Sequence, residues 1–192
     1  MDITSFIIYC FIVTFTPGPT NIVILSTVHN YGPKRAMEYT YGATIAFGLL
    51  LGISAMLNAV LITVIPKILI GMQIIGTIYM LYLSYQIYKM DTSESPENNN
   101  GTFTAGFLMQ FLNPKVVIFT LTVIPSFVLP YYTDMPAVTI SVIVITIIGF
   151  LAFISWVLFG AILKKFLQKH TRMVNVIMAL GLVYATIMIW IG

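Results

Sequence analysis

The sequence predicts an all-α membrane protein: six transmembrane helices forming two inverted three-helix repeats, with helices 1 and 4 broken by proline. Three observations lead there. The 192 residues are 59% hydrophobic and 8% charged, and mean hydropathy is +0.98, a balance foreign to water-soluble domains. Apolar runs recur six times, and at roughly 20 residues per span they use up the chain. The first and fourth runs are interrupted by proline at corresponding places. No polar globular unit is left over, so cytosolic catalysis and nucleic-acid binding are excluded as functions.

The first run covers about 3–27. Met1-Asp2 precedes it without a basic segment or a small-residue cleavage pattern, so a retained span is expected and not a signal peptide. Cys10, the one cysteine, is expected to be a packed thiol with no disulfide. The run breaks at Thr16-Pro17-Gly18-Pro19-Thr20-Asn21. Proline lacks an N–H and clashes with the carbonyl four residues back, so Pro17 and Pro19 take the usual partners from the carbonyls of Val13 and Phe15. Backbone of this kind survives at membrane depth only where protein groups, water or a ligand satisfy it. Gly18 bares the chain further, and Thr16, Thr20 and Asn21 bring hydroxyl and amide groups to the break.

The second run, about 39–64, begins after Lys34 and Arg35. Glu38 beside Arg35 is the proton-coupling candidate; the alternative is an exposed ion pair at a helix start. Gly48, Gly52, Ala55 and Ala59 fall on one helical face and admit close helix approach, either for internal packing or as a homodimer seam. In the third run, about 68–88, Tyr79, Tyr82, Tyr85 and Tyr88 recur every third residue and suit an interfacial aromatic belt. A hydrophilic stretch follows, expected as a flexible cytoplasmic linker over 91–102 between repeats at 1–90 and 103–192.

The fourth run, about 105–131, contains Phe111-Leu112-Asn113-Pro114-Lys115, where Pro114 frees the carbonyl of Gln110. A continuous helix from Phe103 to Tyr131 would run about 43 Å against a hydrocarbon core of roughly 30 Å, so a bend is expected. Lys115 is a cation inside a span, and a centred charge there costs about 2.5–3.5 kcal/mol. Either a substrate carboxylate compensates it or the side chain snorkels to the headgroups. The fifth run, about 137–163, follows Asp134, which either favours the helix N-terminus or meets external protons. The sixth is about 173–191. His29 and His170 read as loop residues without a second ligand, so neither a metal nor a cofactor is expected.

Lys34, Arg35, Lys89, Lys164, Lys165, Lys169 and Arg172 stand on one side of this topology, with Lys67 opposite. Cationic loops stay in the cytoplasm, which puts both termini outside. Spans one and four then run in opposite directions. Paired proline-interrupted segments in inverted halves point to a substrate site at the bilayer midplane of a secondary transporter. Other readings are a metal-cation or lipid translocator, a membrane-embedded enzyme and a structural subunit. The first would need acidic or thiolate ligands in the spans, and an enzyme would show clustered titratable groups.

At the two breaks the chain resembles the LysE/RhtB family of bacterial amino-acid exporters. Thr16-Pro17-Gly18-Pro19, Gly32 with Arg35-Ala36, Gly42 and Gly48, Asn113-Pro114-Lys115 with Phe119, and Pro125-Ser126-Phe127-Val128 carry the likeness, which covers essentially the whole length. Three positions depart from it. Thr20 stands where the family usually has asparagine, with Asn21 one residue later; Met37-Glu38 replaces a second glycine; and Leu49 stands where a polar or acidic residue is common. The resemblance implies a multi-pass protein of the bacterial plasma membrane, in contact with lipids, exporting amino acids or related small zwitterions by proton antiport. The substrate-binding candidates are Thr16, Pro17, Gly18, Pro19, Thr20, Asn21, Asn113, Pro114 and Lys115. Freed carbonyls with Thr20 or Asn21 would receive an ammonium group, Asn113 and Lys115 a carboxylate, and the prolines would let the broken helices rock in alternating access.

Overall fold

The computed structural model describes residues 3–89, 101–163, 166 and 169–191, and every regular element among them is helical. The expected linker lies outside the described residues up to position 100, as do Lys164, Lys165 and the side chains of Ala59 and Lys67. The first expected span is two helices, α1 (Ile3–Phe15) and α2 (Pro19–Tyr31), bent by 47° at the break. The fourth is α4 (Phe103–Leu112) and α5 (Pro114–Val123), continued by a π-helical turn at Ile124–Val128 and bent by 67°. Each piece after a break restarts on proline at its first turn, behind Gly18 and Asn113 as N-caps. That position suits proline, whose missing N–H would have had no helical partner there. Pro125 likewise has no N–H for the carbonyl four residues back, and the turn widens so that Leu129 N bonds Ile124 O at 3.0 Å.

Between the broken pairs lies α3 (Pro33–Lys89), 57 residues with non-helical dihedrals at Leu57 (φ −108°, ψ 16°). The sequence suggests separate spans divided near Pro66; the described backbone remains helical there and departs at Leu57. Gly42 packs on Phe103 and Gly76 on Leu112, the two ends of α4. In a straight rod these glycines would stand about 51 Å apart, whereas α4 is only about 15 Å long. The helix therefore turns back sharply, and its limbs Pro33–Leu57 and 58–89 both pack on α4. The remaining elements are α6 (Met135–Ile162) and α7 (Thr171–Ile191).

Pro33–Leu57 and α6 are each long and apolar enough to cross a membrane, and each bent pair passes the same test together, giving up to four candidate spans among the described residues. Along α6, Ile140, Ile143, Ile147, Leu151 and Leu158 are each more than half exposed. A contiguous apolar face of this size is intolerable in water and ordinary against acyl chains. Tyr82, Tyr85 and Tyr88 are also exposed, with the Lys89 ammonium 5.1 Å from the centre of the Tyr85 ring, an arrangement suited to a headgroup boundary.

The interior holds two apolar clusters. One joins α2, both limbs of α3, α4, α6 and α7 through Ile24, Tyr39, Leu83, Met109, Phe153 and Leu182. The other joins α1, the first limb of α3, α5 and α6 through Phe6, Phe47, Leu51, Phe119, Val123 and Ile145. Close approach depends on glycine. A Cβ on Gly42 would overlap the Phe103 carbonyl oxygen, and one on Gly106 the Tyr39 carbonyl oxygen, so α3 and α4 cross backbone to backbone. Gly32 ends α2 at φ 89° with its N–H on Thr27 O and Val28 O, a conformation that glycine adopts without penalty.

Asp134 caps α6, its Oδ2 accepting from Ala137 N at 3.0 Å. Asp134→Ala is expected to lower stability by about 1 kcal/mol and leave transport intact, as a melting curve in detergent alongside an efflux assay would register.

Candidate functional site

Where α1 stops, its last carbonyls point into the bend without backbone partners. Side chains take them up. Trp156 donates its indole N–H to Phe15 O at 3.3 Å. Asn21, one turn into α2, reaches back with Nδ2 to Thr14 O at 3.3 Å and Thr16 O at 3.0 Å. Lys115 donates from Nζ to Thr16 O at 2.8 Å. The Thr16 hydroxyl turns back to Ile12 O. The Lys115 ammonium thus sits at the negative end of the α1 dipole, which offsets part of its desolvation. Gly18 makes room for it: a Cβ there would lie 3.1 Å from Lys115 Cδ and 3.2 Å from Nζ. Beside the two fates expected for Lys115, the fold gives it a partner in the first break.

A second link between the breaks runs through one hydroxyl. Asn113 caps α5 with Oδ1 accepting from Lys115 N at 3.1 Å, and its Nδ2 donates to Thr20 Oγ1 at 3.0 Å. Gln110 donates from Nε2 to the same oxygen at 3.2 Å. Thr20, Gln110 and Asn113 are all buried, so the hydroxyl serves two amides in a low-dielectric setting, where such bonds are electrostatically strong.

A cavity opens where these groups meet, lined by Val13, Thr14, Gly18, Thr20, Asn21, Phe47, Asn113, Lys115, Val116, Phe119 and Phe153, with free space of about 30 Å³. Asn21 is 3% exposed, and its Oδ1 has no hydrogen-bond donor among the described residues. Its amide orientation follows from Nδ2, which faces two carbonyls that can only accept. Asn21, whose Oδ1 is a buried acceptor without a donor among the described residues, and Lys115 therefore both belong to the wall of one small chamber.

Of the residues nominated from sequence, Gly18, Thr20, Asn21, Asn113 and Lys115 line this chamber, and Thr16 enters through its carbonyl. Pro17, Pro19 and Pro114 shape the backbone around it without forming its wall. Glu38 lies apart from the chamber lining, ion-paired to Arg35 at 2.7 Å with both side chains part-exposed. His29 is no loop residue: α2 runs on to Tyr31, and His29 is buried in it with no hydrogen-bond partner for either ring nitrogen among the described residues. The sequence predicts that the first run ends near 27, yet Thr27 and Asn30 bond carbonyls one turn back and the helix continues.

Trp156, the Gln110 side chain and the rings of Phe47 and Phe153 escaped sequence reasoning, and Phe119 entered it only through the family motif. A tryptophan in mid-span carries an N–H that must find an acceptor when buried, and a glutamine inside an apolar run before a break carries the same signal. Nothing comparable marks the phenylalanines. Among the described residues no three His, Cys, Asp or Glu side chains gather as a metal site would require.

The profile of the LysE type translocator family matches residues 11–192, covering both breaks and every chamber residue. The chain belongs to the LysE-type translocator family. This translocator is 31% identical over 189 residues to a cysteine/O-acetylserine efflux protein of Klebsiella pneumoniae subsp. pneumoniae, covering 97% of this chain and 96% of the relative. Proteins of the same name from Escherichia coli strain K12 and Shigella flexneri serotype 5b are each 26% identical over 189 residues, covering 98% of this chain and 97% of theirs. No solved structure matches. Family membership makes the chain a membrane transporter and not an enzyme.

Proposed function

We propose that this translocator exports a small zwitterionic amino acid of the cysteine and O-acetylserine class, held between the two helix breaks. The observation that carries the reading is the pairing of the unsatisfied Asn21 Oδ1 with the Lys115 ammonium in one chamber. A zwitterion needs both: an acceptor for its ammonium group and a cation for its carboxylate. Asn21 Oδ1 takes the first, seconded by Val13 O, whose helical donor Pro17 removes. Lys115 takes the second with the N–H groups not bound to Thr16, helped by the amide-rich N-termini of α2 and α5. The names of the relatives support the substrate class.

A free space of about 30 Å³ admits a water or two and no amino acid. Loading therefore requires the helices to part, which is the motion that alternating access supplies. In this reading six spans form two inverted halves in the bacterial inner membrane, both termini outside, and proton antiport drives the cycle. Glu38 takes up its proton by trading away Arg35. Gly52, beside which a Cβ would meet nothing within 4 Å, leaves a notch where a second copy can pack.

The test is counterflow in proteoliposomes loaded with a panel of unlabelled amino acids, for wild type and Lys115→Ala. Cysteine-sized zwitterions are expected to accelerate labelled uptake, and the variant to lose about 10-fold to 100-fold, the effect of one charge-assisted hydrogen bond. Exchange that survives the substitution would remove Lys115 as anchor. No exchange with any amino acid, from protein shown to be folded, would overturn the reading.

A further inference from the structure

We propose that Phe47, Phe119 and Phe153 form a filter on the side chain of the transported amino acid, set by Gly149; the inference rests on the zwitterion reading above. The polar groups of the chamber come from the breaks. Much of the remaining wall is three rings from three elements: Phe47 on α3, Phe119 on α5 and Phe153 on α6, each at most 5% exposed. Phe47 and Phe119 stack with centroids 5.9 Å apart, and Phe153 meets the edge of Phe47 at 6.4 Å. With its head group on Asn21 and Lys115, a substrate has this surface for its side chain.

The chemistry of the wall sets two limits. Among the described residues lining the chamber only Lys115 is charged, so a lysine, arginine, aspartate or glutamate side chain would be desolvated without an opposite charge or, if acidic, would compete for Lys115. Aromatic rings favour small apolar or sulfur-bearing groups, because sulfur packs well against ring edges. The filter thus passes small uncharged side chains and rejects charged ones.

Its aperture depends on the position of Phe47. A Cβ on Gly149 would come within 2.5 Å of Phe47 Cε1 and 2.9 Å of Cδ1, so the ring rests on bare α6 backbone. A methyl group at 149 displaces it, and its other neighbours are Phe119, Phe153 and the chamber. Glycine at this point therefore keeps the chamber as wide as it is.

Counterflow with alanine, cysteine, methionine, leucine and lysine as the loaded amino acids reads the filter directly. Wild type is expected to prefer cysteine over lysine by about tenfold or more. Phe153→Ala is expected to raise leucine relative to alanine by about tenfold. Phe153→Leu, which keeps most of the core volume, moves the ratio the same way by less. Gly149→Ala moves it oppositely, disfavouring methionine and leucine. Unchanged ratios in variants that still exchange, or lysine exchanged as fast as cysteine by wild type, would overturn the filter alone. Loss of exchange in wild type would remove the zwitterion reading and the filter with it.

Discussion

Gly106→Ala is expected to cost far more stability than one methyl group ordinarily does. The added carbon would overlap the Tyr39 carbonyl oxygen and lie 2.9 Å from its carbon and 3.1 Å from Cα. All three are backbone atoms of α3, so no rotamer change relieves the clash and α4 must move off. The reciprocal contact of Gly42 with Phe103 opens at the same time. Overpacking of this kind costs about 1–3 kcal/mol where side chains can yield, and more where they cannot. Displacing α4 also shifts Gln110 and Asn113 from Thr20, so transport should fall with stability. Gly52→Ala is the control: nothing lies within 4 Å of its Cβ, and the better helix propensity of alanine should leave stability equal or higher by up to about 1 kcal/mol. Melting curves in detergent for both variants check this, and a Gly106→Ala protein as stable as wild type would mean that the crossing is looser than described.

Thr20→Val should separate folding from transport. Valine keeps the shape and removes the oxygen that accepts from both Gln110 and Asn113. Two buried amides lose a partner, at about 1–3 kcal/mol each if left unsatisfied, although Gln110 keeps its bond to Gly106 O at 3.4 Å. The hydroxyl link between the breaks is gone, and the Lys115 bond to Thr16 O still ties them. Counterflow is expected to drop about tenfold or more, with Thr20→Ser, which restores the oxygen, returning most of it. Equal exchange by valine and serine variants would show that Thr20 is only packed there.

The breaks were legible because proline acts locally: its missing N–H and fixed φ need no knowledge of the rest of the chain. Asp134 as a cap was legible for the same reason. The groups that complete the breaks were not, since Trp156 reaches Phe15, and Lys115 reaches Thr16, across long stretches of sequence. Lys115 stood out as a charge in need of compensation, and the helix terminus that meets it in the fold is a partner no local pattern names. The sharp turn at Leu57 has no proline or glycine beside it to announce it, and the stretch between the runs at about 39–64 and 68–88 lies within the helix. The aromatic wall was hidden because three phenylalanines among thirteen have no local feature that separates them from the core.

The bond from Lys115 to Thr16 joins residues that emerge from the ribosome far apart in time. At about 5–20 residues per second, some 5–20 seconds pass between the synthesis of the first break and that of the lysine that completes it. Through that interval α1 and α2 hold carbonyls in or near lipid, where unsatisfied groups cost several kcal/mol. Asn21 is local and can cover Thr14 and Thr16 at once; Phe15 has to wait for Trp156. Of the side chains that cover the bend in the finished fold, Asn21 is the one already present to shield it before the later helices arrive.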